Sequence, residues 1–419
     1  MKRFAAVATG AVLLAMSAAG TASAAFTVGG ENGWQLSTDG IVDVFAVYQN
    51  ANARPGGDRF FSFLNNDQSQ YQSSTVEVGL LPSVIAFNVK APTINGIESS
   101  VRVGIYPSIS NASTGNQNRF STNPNVDIRE FFYTAKGKYG ELLAGRALNL
   151  YQGKSILADM TLLTAGVVNR PGTTTTLGHI GYGYLYTNFG SQIRYTTPDF
   201  GGVKVAFSVG EPYNIDQWTA KKNVPRFETE ISYATTLGSG ISLQAYASGL
   251  YQNATRSTVI GVPSAGTNEH SLGGDAGVTV GYKGFEFHAS SYVGEGLGVI
   301  SAQDGNEFGS SSVDGAGNDR TQFGFLVQAT YQMNPDWKFG VNYGQTRQIG
   351  SQYDSRQHML LGTGAFIPMF KQEAVDVMAV YNLTKFIQFV AEYCYAQNTW
   401  NDSATQHSNS FALGTMFYW

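Results

Sequence analysis

The stretch Ile387-Gln-Phe-Val-Ala-Glu-Tyr-Cys-Tyr395 alternates between two classes of position. Its odd-numbered positions are apolar or aromatic, whereas its even-numbered positions include Gln388 and Glu392. Because successive side chains of a β-strand point to opposite faces, this alternation predicts a strand with one apolar face. The segments Trp337–Tyr343 and Ser410–Trp419 show the same period of two.

Segments with this alternation follow one another along most of the chain. We count 16 of them, near residues 40–49, 75–90, 96–108, 127–136, 139–148, 191–197, 202–211, 225–236, 240–251, 273–282, 284–293, 320–332, 336–348, 372–383, 386–398 and 408–419. Short connections, such as Thr384-Lys385, alternate with long ones that are rich in Gly, Ser, Asn and Asp. Tight turns at one end and long loops at the other are the layout of an outer-membrane β-barrel.

Two environments explain an apolar strand face: the core of a soluble sandwich, or lipid around a barrel. Charged residues make up 13% of the chain, about half of the ~25% typical of soluble proteins. The segments are about 10 residues long, which suits a tilted membrane strand. Beyond the N-terminus no apolar run approaches the ~20 residues of a membrane-spanning helix. The sequence therefore predicts an all-β transmembrane antiparallel β-barrel of 16 strands, with short periplasmic turns and long outer loops.

The N-terminal residues predict export. Met1-Lys2-Arg3 is positive, Phe4–Ala19 is apolar, and Ala22-Ser23-Ala24 fits a cleavage site; together these are the parts of a secretory signal peptide. We expect residues 1–24 to be removed and residues 25–419 to form a single barrel domain. The formal net charge of −4 argues against a nucleic-acid partner.

Four groups of residues, spread over most of the chain, form a further pattern. They are Gly79-Leu80-Leu81-Pro82-Ser83, Arg129-Glu130-Phe131-Phe132-Tyr133 with Lys138 to Gly145-Arg146, Ser191 to Gly202, and the aromatic-ended Ser410–Trp419. In this order and spacing they resemble the general porins of Gram-negative bacteria, although each motif alone is weakly specific. The resemblance implies a homotrimeric, 16-stranded, water-filled pore in the outer membrane, with the third long loop folded into the lumen.

The resemblance also implies roles for single residues. Arg146 follows the family's Gly-Arg pair, whose arginine belongs to a basic cluster on the wall opposite the third loop. Arg194 likewise matches a position of that cluster. Trp419 stands where the family has a terminal aromatic residue, usually Phe, that the barrel-assembly machinery reads.

The alternation of side chains adds candidates for the pore constriction. Arg102 and Arg194 each lie between apolar positions of a predicted strand, so both face the lumen if those positions face lipid. The third loop, near residues 149–190, contains Asp159 and Lys154 in a segment that we expect to reach the narrowest point. A basic wall opposite an acid-poor loop predicts a preference for anions, and this preference is weak because the alternation also places Glu228 and Glu230 on the inner face.

The functional hypothesis is a passive outer-membrane channel for small hydrophilic solutes and ions. We expect no catalytic group, metal or cofactor, and no nucleic-acid partner. The expected partners are two further copies of the chain, outer-membrane lipid and lipopolysaccharide, and the permeating solutes. The alternatives are a substrate-selective barrel for an anion or a sugar and, from another class, a barrel enzyme or an adhesin that acts through its loops.

Overall fold

The computed structural model describes residues 26–57, 59, 61–109, 126–166, 176–238, 240–259, 262, 264–302, 312–361 and 367–419. Its strands are β1 (Phe26–Gly29), β2 (Gln35–Ala51), β3 (Tyr71–Glu77), β4 (Val84–Lys90), β5 (Glu98–Pro107), β6 (Val126–Gly137), β7 (Gly140–Leu148), β8 (Phe189–Thr196), β9 (Val203–Gly210), β10 (Thr219–Lys222), β11 (Arg226–Thr236), β12 (Ser242–Arg256), β13 (Asn268–Tyr282), β14 (Phe285–Glu295), β15 (Thr321–Gln332), β16 (Trp337–Ile349), β17 (Met369–Asn382), β18 (Ile387–Trp400) and β19 (Thr405–Tyr418). Its helices are α1 (Gly153–Ala158) and α2 (Gln352–Leu361), and a 3₁₀-helix spans Met160–Leu163. None of the helices in these ranges is long and apolar enough to cross a membrane.

The strands form one closed antiparallel barrel. Each wall strand pairs with its neighbours in sequence, and β19 pairs with β2 from Tyr418 opposite Ile41 to Ser408 opposite Ala51. β3 and β4 both pair with β2 and together occupy one place in the wall. The short β1 and β10 lie beside β2 and β12 and add no place of their own. Within the described ranges the wall therefore has the 16 places that the sequence predicts.

The two faces of each strand are also those that the alternation predicts. In β16, Trp337, Phe339 and Val341 are exposed, whereas Gly340 and Asn342 at alternate positions are buried. A closed barrel with loops packed inside buries its inner face, so the exposed aromatic and aliphatic side chains lie on the outer face. This is the face that a membrane-embedded barrel turns to lipid.

The structure interrupts the segment at residues 75–90, which the sequence predicts as one strand. The chain leaves the wall after β3 and returns at Val84. The Asp43 carboxylate accepts hydrogen bonds from the Gly79 N–H, at 2.6 Å, and from the Ser83 hydroxyl, at 2.6 Å. Pro82 in this stretch has no N–H to give to a strand ladder. The strands β1 and β10 and the helix α2 were not expected either, and the predicted signal peptide lies outside the described residues.

One side of the lumen is filled with apolar side chains. The inner faces of β2, β17, β18 and β19 contribute buried residues such as Phe45, Met378, Val390 and Met416, which form one cluster with Met160 of the third loop. A second cluster joins side chains of the first, third and sixth outer loops. This packing narrows the open part of the lumen beside the third loop.

Candidate functional site

The third loop, residues 149–188 between β7 and β8, crosses the lumen and is fixed to the wall by hydrogen bonds. The bonds run to five strands and pair Leu150 N with Glu228, Gln152 N with Ser248, Ser155 Oγ with Asp275, Met160 N with Gln328, and Thr164 Oγ1 with Glu392. Three backbone N–H groups and two hydroxyls of the loop thus find acceptors on side chains that the strand alternation points inward. The predicted folding of this loop into the lumen is confirmed, and residues 167–175 lie outside the described part.

Asp159 lies between α1 and the 3₁₀-helix, and its carboxylate holds the loop together. One oxygen, Oδ1, accepts hydrogen bonds from the Thr161 N–H at 2.9 Å and from the Thr161 hydroxyl at 2.8 Å. The other, Oδ2, accepts from the Tyr184 hydroxyl at 2.7 Å and from the His179 N–H at 3.3 Å. The side chain is 4% exposed. Asp159 therefore reaches the lumen as expected, but its oxygens are committed to the loop rather than presented to a passing ion.

The second half of the loop is attached to the wall through His179. Its Nδ1 lies 2.9 Å from the Tyr182 carbonyl oxygen, and its Nε2 lies 2.8 Å from both Asn342 Oδ1 and Asp376 Oδ2. Burial alone would lower the pKa of His179, but the hydrogen bond and negative charge of Asp376 outweigh it and raise that pKa to about 9. His179 is therefore a cation at neutral pH and pairs with Asp376.

The interruption between β3 and β4 gives the loop a further attachment. The Leu80 N–H donates to the Ala165 carbonyl at 3.1 Å, and the Leu81 N–H donates to the Leu162 carbonyl at 3.3 Å. The chain bends inward here and pairs with the third loop instead of with the wall. The loop is thus held from opposite sides of the barrel, which fixes the width of the space beside it.

Two of the predicted constriction residues interact with Glu230 at that space. Lys154 on α1 places Nζ 3.9 Å from Oε1 of Glu230, which projects from β11. Arg194 on β8 faces inward and interacts electrostatically with Glu230 and with Glu141 of β7. Two basic groups therefore face two acidic groups at this gap. The sequence indicated both sides of the gap, because alternation placed Glu230 on the inner face.

Glu228, two positions before Glu230, does not present its charge to the gap. Its Oε1 accepts from Arg226 Nε at 2.6 Å, and its Oε2 accepts from the Leu150 N–H at 2.7 Å. Both residues are 2–3% exposed. The pair serves to hold the start of the third loop against β11.

Arg102 faces the lumen, as predicted, but it is enclosed by an ion-pair network. Nε donates to Glu130 at 2.9 Å, and the two Nη atoms donate to Asp39 at 2.9 and 3.2 Å. A further Nη1 bond reaches Asn88 at 3.0 Å. The guanidinium, 5% exposed, lies among two carboxylates that are nearly inaccessible. The network places the charge of Arg102 inside the wall packing rather than at the gap.

The structure corrects the position that the resemblance implies for Arg146. The residue is exposed, and it lies opposite Phe131 on β6 and Ser191 on β8, which are exposed too. Directly paired residues of adjacent strands share a face, so Arg146 lies on the outer side of the barrel. Its neighbours Leu143 and Ala147 point inward instead. The Gly-Arg pair alone does not determine which face the arginine occupies.

Trp419 closes the barrel seam. Its N–H donates to the Gly40 carbonyl and its carbonyl accepts from the Gly40 N–H, both at 3.2 Å. A Cβ on Gly40 would lie 2.3 Å from the Trp419 ring, so only glycine leaves room for the indole there. The role of Trp419 in assembly stays a prediction.

Sequence reasoning missed the position of Arg129. Its guanidinium lies over the Tyr106 ring, 5.3 Å from the centroid, at the edge of an apolar pocket between the wall and the third loop. A bulge in the β5–β6 pairing, between Gly104 and Ile105, shifts the alternation at this point. A register shift of this kind leaves no period-two signal, which is why both faces of this segment look apolar.

Comparisons with known proteins agree with the barrel fold. A family model described as Gram-negative porin matches residues 8–401. The outer membrane channel DcaP of Acinetobacter baumannii superposes with a TM-score of 0.69 at 16% identity, over 94% of this chain and 100% of that one. OmpT of Vibrio cholerae in a trimer form gives 0.55 at 13% identity, over 93% and 100%. OmpF of Salmonella typhi in complex with daunomycin gives 0.54 at 13% identity, over 94% and 100%. No curated protein sequence shows significant similarity to the chain.

Proposed function

Because this chain belongs to the Gram-negative porin family, we propose that its solutes and ions cross the outer membrane through the gap between α1 and the strands β8 and β11. The protein is a passive outer-membrane diffusion channel, and the family indicates a channel rather than an enzyme. The observation that supports the route is the approach of Lys154 to Glu230 with Arg194 beside them. Charged groups on both walls of a gap supply the field that a permeating ion meets.

The selectivity of this route is weak. Lys154 and Arg194 favour anions, whereas Glu230 and Glu141 offset them. The weak preference for anions stays a prediction, and it now depends on these two basic groups, because Arg146 lies outside and Arg102 is paired. Salt screens such charges within about 8–10 Å, so the preference should shrink as the ionic strength rises.

Single-channel conductance in a planar bilayer under a tenfold KCl gradient tests the proposal. We expect open channels with a small reversal potential towards chloride. Absence of conductance from correctly folded protein would refute the channel and raise the enzyme or adhesin alternative. A strong potassium preference would refute the proposed balance of charges at the gap.

The assembly is proposed to be a homotrimer inserted among outer-membrane lipid and lipopolysaccharide. A trimer form exists for OmpT of Vibrio cholerae, which has a similar fold. The exposed aromatic and aliphatic residues of the outer face suit lipid contact. Conductance steps that close in groups of three would support the trimer, and isolated steps without such grouping would contradict it. Export by a signal peptide cleaved after Ala24 is part of the same proposal and is tested by sequencing the N-terminus of the membrane protein.

A further inference from the structure

Two cavities lie on opposite sides of the third loop and share part of their lining. The larger, of about 220 Å³, lies between the loop and the wall strands β12 to β18. The smaller, of about 50 Å³, lies between the loop and the opposite wall, beside Tyr106 and Phe189. Leu157 and Leu162 line both cavities. These two side chains therefore form an apolar partition between them.

The larger cavity has an apolar side and a polar side. The third loop contributes Leu157, Met160 and Leu162, whereas the wall contributes the amides of Gln244, Asn382 and Gln388. Two lysines, Lys154 and Lys338, line it together with Glu286. Lys338 points inward from β16 and interacts electrostatically with Glu286. Asp159 also lines the cavity, but its oxygens are occupied by the loop.

The smaller cavity repeats this combination on the other side of the partition. Leu80, Leu148, Ile156 and Ile180 supply an apolar lining, and Arg129 is its basic residue. Arg129 Nε pairs with Asp127 at 2.9 Å, and the Asp127 side chain is 52% exposed. A pair with such an exposed partner is weak, so a solute carboxylate can compete for the guanidinium.

We propose that the two cavities form a track for amphipathic organic anions, which are solutes with a carboxylate and an apolar body of several carbons. This inference rests on the proposed function and adds a solute class to it. The carboxylate is attracted by Arg129 on one side and by Lys154 and Lys338 on the other. The apolar body displaces water from the Leu157–Leu162 partition, a contact that stabilises it by roughly 0.8 kcal/mol per buried methylene. A hydrated inorganic ion gains no binding energy at the partition, because apolar constrictions exclude water and ions.

The test is the block of KCl current by hexanoate, which joins a carboxylate to a five-carbon tail. Acetate has the same charge without the tail, and hexylammonium has a six-carbon chain with the opposite charge. We expect hexanoate to reduce the current in a saturable way, while acetate and hexylammonium at equal concentration do not. Lys338→Gln should raise the half-blocking concentration about tenfold, the factor that 1.4 kcal/mol of charge-assisted binding represents. Leu157→Ser should weaken the block by hexanoate without creating one by acetate.

The matched control is Lys385→Gln, in the exposed turn between β17 and β18. It removes one lysine charge outside both cavities and should leave the block unchanged. Equal effects of Lys338→Gln and Lys385→Gln, or equal block by acetate and hexanoate, would overturn the inference while the KCl conductance upheld the proposed function. If the protein did not conduct at all, equilibrium dialysis of radiolabelled hexanoate against folded protein would decide. Binding that Lys338→Gln abolishes supports the site, and binding that it leaves intact refutes it.

Discussion

Replacing Arg102 by methionine should destabilise the barrel strongly and leave its ion selectivity almost unchanged. The substitution keeps a long side chain but removes the three N–H groups that reach Asp39 and Glu130. Both carboxylates then remain buried, at 0% and 1% exposure, without their counter-ion. Loss of one partner from a buried ion pair costs about 3–5 kcal/mol.

Two other contacts limit the loss. The Tyr106 hydroxyl still donates to Glu130 at 2.8 Å, and Asn88 Nδ2 still donates to Asp39 at 2.6 Å. These bonds compensate the negative charge of each carboxylate only in part. We therefore expect the free energy of unfolding to decrease by about 3–5 kcal/mol. The triple variant Arg102→Met, Asp39→Asn, Glu130→Gln removes all three charges together. It should return to within about 1 kcal/mol of the wild type, since a buried ionic group replaced as a whole is often neutral.

Urea unfolding of the detergent-solubilised barrel, followed by tryptophan fluorescence, measures these differences. The reversal potential of the same variants in planar bilayers measures selectivity. We expect the single variant to shift the unfolding midpoint and to leave the reversal potential close to that of the wild type. A stable Arg102→Met barrel with a clear shift towards potassium would refute the reasoning, because Arg102 would then act as an open charge of the pore rather than as a paired one.

Three further predictions concern the site. Lys154→Gln and Arg194→Gln should each shift the reversal potential towards potassium, whereas Arg146→Gln, on the outer side, should not; an equal shift for Arg146 would contradict its placement. Asp159→Ala removes the acceptor of four donors and should lower the free energy of unfolding by about 2–4 kcal/mol. It should also increase the noise of the open-channel current. Currents as quiet as those of the wild type would show that Asp159 does not hold the third loop in place. The raised pKa of His179 means that its pairing with Asp376 stabilises the loop fully below pH 6.5 and is lost as the pH rises through about 9. Current noise should therefore increase through that range in the wild type and be independent of pH in His179→Gln. A wild-type profile that stays flat to pH 10 would show that the loop does not depend on this pair.

The barrel itself was predictable because its signal is repeated in every strand. Lipid outside and polar groups inside impose a period of two, and tight turns alternate with long loops, so each strand confirms the register of the next. The same reasoning placed Arg102, Arg194 and Glu230 on the inner face. The inward fold of the third loop was predicted instead from the resemblance to porins.

The parts that sequence reasoning missed depend on contacts between distant residues. Whether Arg102 is an open charge depends on Asp39 and Glu130, which approach it from two other strands. Arg146 was assigned from a motif, although the alternation around Leu143 and Ala147 would have placed it outside. The break after β3 depends on Asp43 and on the third loop, neither of which is close in sequence. A local sequence pattern does not encode contacts between residues that are far apart in the chain.

The attachment of the third loop to inward side chains has a consequence for the order of assembly. Its bonds to Glu228, Gln328 and Glu392 lie on the inner surface of a closed wall. The loop leaves the wall at its outer end, so these bonds form only when it folds inward against strands that lie 78 to 228 positions away in sequence. The joining of β19 to β2 spans a still larger separation, since Gln49 meets Ser408 across 359 positions of sequence. Contacts between residues so far apart form slowly, so sealing of the seam should set the pace at which the barrel matures.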